Sequence, residues 1–137
     1  MEVRQVSPGF AVAPQFRPDE MAELAQHGFT TVICNRPDGE DEGQPSVDEM
    51  RAAAQAAGLA FHHIPVSGGA FPEPAVNAFR AVRRGSEGQV LAYCRTGTRS
   101  ITLETLANPR ELKPSARLLE AEAAGYDLSG MADRLND

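Results

Sequence analysis

The sequence predicts an α/β fold with a central, mostly parallel sheet flanked by helices. Three observations carry this expectation. Strand-like and helix-like segments alternate from Pro18 onward, the pattern of parallel strands joined by helical crossovers. Helix start and stop signals stand at the ends of the helical segments. The last strand, Gln89 to Tyr93, runs straight into Cys94-Arg95-Thr96-Gly97-Thr98-Arg99-Ser100, a short loop that opens another helix. A chain of 137 residues suits one domain, 1–137, built on one core.

Each element follows from local chemistry. Val3 to Val12 holds two short β-rich pieces broken at Ser7-Pro8-Gly9, expected as an edge strand or hairpin. Pro18-Asp19-Glu20 starts a helix, because proline suits a first turn and acids suit the positive end of the helix dipole. His27-Gly28 ends it. Phe29 to Cys34 is a β-branched, mostly apolar strand, and Asn35 to Pro45 a polar loop. Ser46 with Glu49 three residues on is a capping box for an alanine-rich helix that Gly58 closes. Leu59 to Val66 reads as the next strand and Ser67-Gly68-Gly69 as a flexible loop. Pro72 or Pro74 opens a helix to about Arg84. After the Cys94 loop, a helix from about Arg99 to Ala107 breaks at Asn108-Pro109. Ser115 begins another that ends at Gly125, and Ser129 a short last one.

Composition excludes several functions. Net charge is −6 and no basic cluster exceeds Arg83-Arg84, so nucleic acid and acidic membrane surfaces are poor partners. Two cysteines supply neither a disulfide framework nor a thiolate zinc set. No signal peptide or membrane-spanning run stands out. A reducing, cytoplasmic setting is expected, and it would keep a lone thiol usable.

The Cys94 loop carries the chemistry. In open α/β sheets, ligands bind outside the carboxyl ends of the strands, where Asn35-Arg36-Pro37-Asp38, Pro65 to Gly69 and the Cys94 loop would meet. The N–H groups of a tight loop can turn inward as an anion nest, and the following helix adds its positive end. Gly97 allows backbone angles that a side chain forbids. Arg95, Thr96, Gly97 and Thr98 form the anion-binding loop, and Arg99 offers a planar fork to an oxyanion. The same field favours a thiolate, making Cys94 the nucleophile. Ser100 would hydrogen-bond the sulfur or assist a leaving group. Asn35 and Arg36 sit where they can brace the loop. Cys34 is expected to be buried, with a resolving thiol as its alternative role. His62 and His63 lie on opposite faces of a strand, one of them facing the core and bonded to a carbonyl; His63 is kept as possible support. Phe71 and Phe79 are expected in the core, with Phe71 near the mouth.

Three segments together, Ile33-Cys34-Asn35-Arg36-Pro37-Asp38, His62-His63-Ile64-Pro65-Val66 and Leu91 to Ser100, resemble a bacterial family of phosphatase-like domains. Its members occur alone or fused ahead of metallo-β-lactamase-like hydrolases and are labelled phosphatase-like or sulfur transferase. The resemblance extends to the tail Ala123-Ala124-Gly125-Tyr126-Asp127-Leu128. It implies the cysteine-phosphatase fold of the dual-specificity type, and a metallo-β-lactamase-like hydrolase as one possible partner.

Two chemistries then compete. Cysteine phosphatases usually place five residues between Cys and Arg, whereas four stand between Cys94 and Arg99, a spacing common in rhodanese-type sulfurtransferases. The loop Val66 to Phe71 holds no carboxylate to serve as general acid. Asp38, Glu40, Asp41 and Glu42 are substitutes, with Arg36 expected to pair with Asp38. Tyr93 replaces the usual His before the cysteine. These points favour sulfur transfer through a Cys94 persulfide, from thiosulfate or a small persulfide to a thiol acceptor. The alternative is a phosphatase acting on a phosphoester through phosphocysteine. The third reading is an idle anion- or phosphoprotein-binding module. Neither scheme of catalysis requires a metal or organic cofactor.

Overall fold

The computed structural model describes residues 1–135. Among them, five strands form one sheet in the order β1-β2-β5-β3-β4. The strands are β1 (Arg4–Ser7), β2 (Phe10–Ala13), β3 (Phe29–Cys34), β4 (Ala60–His63) and β5 (Gln89–Tyr93). Only the β1–β2 pairing is antiparallel; β2–β5, β5–β3 and β3–β4 are parallel. The helices are α1 (Met21–Gln26), α2 (Val47–Ala56), α3 (Glu73–Gly85), α4 (Thr98–Ala107) and α5 (Pro114–Ala123), with 3₁₀ turns at Pro18–Glu20 and Ser129–Arg134. The mixed sheet flanked by helices is the predicted α/β fold.

Strand alternation splits the core into two layers. Val12, Ile33, Val90 and Ala92 pack with Phe79 of α3, Ile101 and Leu103 of α4 and Ala121 of α5. Ala11, Val32, Leu91 and Tyr93 pack on the other face with Leu24 of α1 and Met50 of α2. β5 is buried along nearly its whole length, as a central strand covered on both faces must be. Phe79 is fully buried, and Phe71 packs partly buried against the same layer.

Several boundaries shift for physical reasons. β1 and β2 do form a hairpin, but only β1 is an edge; β2 is paired with β5 from Phe10↔Val90 to Ala13↔Tyr93. β4 ends at His63 rather than Val66: Ile64 N–H still reaches Cys34 O at 2.9 Å, but Val66 N–H meets Asn35 O only at 3.4 Å, out of step with the ladder. α4 begins one residue early, at Thr98, and shows no amphipathic stripe because it is buried on nearly every side. Its buried Glu104 is tolerated through a bidentate pair with Arg83, at 2.6 and 2.9 Å, since a lone buried charge would be costly. α5 begins at Pro114 and ends in a Schellman turn: Gly125, at φ +100°, donates to Glu122 O, and Tyr126 N–H donates to Ala121 O.

This topology positions the site. From β3 the chain steps outward to β4, then crosses back to β5 on the other side of β3. The reversal opens a crevice at the carboxyl ends of β3 and β5, where Asn35 and Cys94 begin their loops. Among the described residues, no helix is long and apolar enough to cross a membrane.

The capping box of α2 is formed as expected, with Ser46 Oγ accepting from Glu49 N–H at 3.1 Å and Glu49 accepting from Ser46 N–H at 3.1 Å. Ser46→Ala should therefore cost about 1 kcal/mol in urea unfolding; an unchanged midpoint would show that the cap contributes nothing.

Candidate active site

Cys94 is the first residue past β5 and is fully buried. Its sulfur accepts the N–H of Gly97 at 3.1 Å. Two carbonyls of the loop are drawn the other way. Arg95 O accepts from Gln15 N–H at 3.2 Å, and Thr96 O accepts from Tyr126 Oη at 2.9 Å. In a trans peptide the C=O and N–H point oppositely, so outward carbonyls turn the following N–H groups inward. Gly97 stands at φ +94°, immediately before α4, a conformation that disfavours any residue with a Cβ. The loop thus places the Gly97 N–H on the Cys94 sulfur immediately before the start of α4.

Arg99, in the first turn of α4, is held by three bonds. Its Nη1 donates to Val66 O at 2.7 Å and to Glu40 Oε2 at 2.9 Å; its Nη2 donates to Glu40 Oε1 at 2.8 Å. These use both Nη1 hydrogens and one Nη2 hydrogen. What remains of the fork is the Nε–Nη2 edge, the one an oxyanion can take bidentately. The Glu40 carboxylate raises the affinity of Arg99 for its proton, and the nearby Cys94 sulfur adds to the effect. In return, Arg99 and then Arg36 hold the Glu40 carboxyl below its usual range, against the opposing effect of burial.

Arg36 is the anchor of the acidic loop. Its buried guanidinium donates to Glu40 Oε1 at 3.0 Å, Gln15 Oε1 at 3.0 Å and Asp41 Oδ2 at 3.1 Å. It does not pair with Asp38, contrary to the sequence reading. Asp38 Oδ1 instead accepts from Val47 N–H at 2.7 Å, at the start of α2, where an acid satisfies a free helix donor. That gives one of its oxygens a helix-capping role, and Asp38 does not line the cleft described below. Arg95 reaches Asp41 at 3.2 Å and is largely exposed. Glu40, Asp41, Gly68, Arg95, Thr96, Thr98 and Arg99 line a cleft of about 490 Å³.

Asn35 and Ser100 lock the rear of the loop. Asn35 Nδ2 donates to Ile64 O at 2.9 Å, which turns its Oδ1 toward Ser100, whose hydroxyl donates to it at 2.8 Å. Both residues are fully buried. The single Ser100 proton is thus committed to Asn35 and not to the sulfur, a correction to the expected Ser100–sulfur bond. His63 Nε2 bonds Arg36 O at 2.9 Å, which makes it support for the loop. Cys34 is buried in the core layer that includes Tyr93, its Sγ lies against Arg36 O, and burial pushes its thiol up. Tyr93 packs edge-on against Phe16 at 4.9 Å, and burial raises its phenol strongly. Gln15 and the tethering role of Tyr126 were not legible in the sequence, since neither lies near the motif. Among the described residues, no cluster of three or more His, Cys, Asp or Glu side chains could hold a metal.

The fold defines an α/β domain of the phosphatase-like type. The family described as "Beta-lactamase hydrolase-like protein, phosphatase-like domain" matches residues 2–110, and the chain belongs to it. Beta-lactamase hydrolase-like proteins of Xylella fastidiosa and Agrobacterium fabrum are 35% and 37% identical to it over 130 residues. Those matches take in 93% of this chain, which spans about 30% of the length of either relative. A solved structure from Neisseria meningitidis, a candidate phosphatase, is 33% identical with TM-score 0.85, covering 99% of this chain and 97% of that one. Tk-PTP in its active form shares the fold at TM-score 0.70 and 23% identity, over 96% and 91% of the two chains.

The Glu40 pair has a defined pH dependence. A carboxyl held low by folding stabilises the native state above its unfolded value and loses that contribution as pH falls through the folded one. Glu40→Gln should lower Tm at neutral pH, and the gap should close below about pH 4. A gap that persists into acid would place the loss elsewhere than in the charge.

Proposed function

We propose that this chain is a cysteine-dependent phosphatase for monoesters with good leaving groups, aryl phosphates above all. The supporting observation is the convergence of Gly97 N–H and the free Arg99 edge on Cys94 at a helix start. The family and the shared fold lend the phosphatase reading further weight over sulfur transfer.

In this reading Cys94, Arg99 and the 95–98 loop are the working groups. A phosphoryl group enters the cleft, and its oxygens take the inward N–H groups and the Nε–Nη2 edge of Arg99. The Cys94 thiolate attacks phosphorus, forming S–P as the ester P–O bond breaks and its electron pair leaves with the oxygen. Water then attacks phosphocysteine, S–P breaks, and the thiolate returns with inorganic phosphate. The donors stabilise charge that develops on the equatorial oxygens. Asn35, Ser100, Arg36 and His63 position this machinery without touching the substrate.

The substrate class follows from the acids. Glu40 is held ionised by two arginines, Asp41 is paired with Arg36 and Arg95, and the 66–71 loop contains no carboxylate. Among the described residues, no side chain lining the cleft is then poised to protonate a departing alkoxide. A phenolate needs that help least. The same lack of an acid, with the four-residue Cys–Arg spacing, is what favours the second reading, sulfur transfer, since sulfite also leaves unprotonated.

An acid-quench experiment with an aryl and an alkyl phosphate tests the proposal. Wild type should release phosphate from the aryl ester and carry a phosphoryl adduct on Cys94. Cys94→Ser should be inactive, and Arg99→Lys should lose about 100-fold in kcat/KM, having lost the planar fork. A sulfur adduct after thiosulfate, with no phosphate release from either ester, would hand the site to sulfur transfer.

A further inference from the structure

The loop is tethered by a side chain 30 residues away in the sequence. Tyr126 Oη donates to Thr96 O at 2.9 Å, and the next N–H along, that of Gly97, donates to Cys94 Sγ at 3.1 Å. The two bonds belong to opposite ends of a single peptide plane. Fixing the carbonyl outward therefore fixes the N–H inward. We propose that Tyr126 is the positioning residue that sets the Thr96–Gly97 peptide for anion binding and catalysis at Cys94.

Three further observations support it. The hydroxyl lies so close to Gly97 that a Cβ there would sit 2.2 Å from Tyr126 Oη. Glycine at 97 is thus required both by its φ of +94° and by the phenol packed on it. Tyr126 itself is not free to move. The Schellman turn that ends α5 holds its N–H on Ala121 O at 2.9 Å. From β1, the Arg4 guanidinium lies 5.6 Å from its ring centroid and donates to Ala124 O at 3.3 Å. The Arg4–Tyr126 contact joins the sheet edge, the end of α5 and the anion loop. Partial burial raises the phenol above its ordinary value, so it remains a donor at neutral pH.

Without the tether the peptide is free to rotate. A glycine at 97 populates both signs of φ readily, and the bonds within the loop, Gly97 N–H to Cys94 Sγ and Thr98 N–H to Thr96 Oγ1, leave the Thr96 carbonyl itself to Tyr126. A flipped peptide would present Thr96 O to the bound anion, replacing an attraction with a repulsion.

The proposal deepens the phosphatase reading, and its test separates the two. Tyr126→Phe removes one hydroxyl and keeps the ring over which Arg4 lies. Orthovanadate affinity is measured by calorimetry, beside Tm. Loss of one well-placed hydrogen bond predicts affinity weaker by about fivefold to tenfold, with Tm lower by only a few degrees. Vanadate affinity equal to wild type would overturn the proposal, whatever happens to Tm. If wild type binds vanadate and Tyr126→Phe weakens it, but neither hydrolyses aryl phosphate, Tyr126 keeps its role and the phosphatase reading falls. A wild type that binds no vanadate overturns both.

Discussion

The N–H of Gly97, aimed at the sulfur of Cys94, is the contact on which the rest of the site depends. The Tyr126 bond to Thr96 O holds the same peptide from its other end, and the turn at φ +94° that follows is also what lets α4 begin at Thr98. Once the helix begins there, Arg99 falls in its first turn, on the same side as the sulfur. The parallel pairing of β5 between β2 and β3 brings the neighbouring loops to this point. Val66 then supplies a carbonyl to Arg99, Gln15 an N–H to Arg95, and Asn35 an acceptor to Ser100.

Charge at the site is balanced locally and not by the chain as a whole. An acidic chain with net charge −6 nonetheless places Arg95 and Arg99 beside the Cys94 loop, where field at close range is set by neighbours within a few ångströms. Glu40 and Asp41 are the counterweights. Together with Arg36, Arg95 and Arg99 they form a chain of alternating charges. Glu40 occupies the end of the Arg99 fork and leaves its side edge, so it orients the arginine without filling the place of the anion. Arg36 is almost entirely buried, and a buried guanidinium demands partners for its donors. Meeting that demand is what folds the acidic loop back over the cleft.

Much of the fold was legible because its signals are local. The β-branched run Phe29–Cys34, the Ser46–Glu49 box and the Gly125 cap each depend on a few adjacent residues, and each fell where expected. The Cys94 loop was legible for the same reason, as strand, glycine, arginine and helix follow one another directly. Long-range pairings were not. Arg36 was matched with Asp38 by proximity in sequence, but the helix start at Val47 claims Asp38 and leaves Arg36 to Glu40 and Asp41. Ser100 was read as a partner of the sulfur because it leaves the loop, yet the orientation of Asn35, fixed by Ile64 O, takes its proton. Tyr126 was visible only as part of a tail pattern, since its target carbonyl carries no side-chain signature.

The most direct test of the account is a crystal structure of the protein with orthovanadate. The account predicts vanadium bonded to Cys94 Sγ, with Gly97 N–H and the Nε–Nη2 edge of Arg99 on its equatorial oxygens and Glu40 still on the other end of the guanidinium. Vanadate seated away from the sulfur, or a Thr96–Gly97 peptide turned with its carbonyl toward the anion, would contradict it.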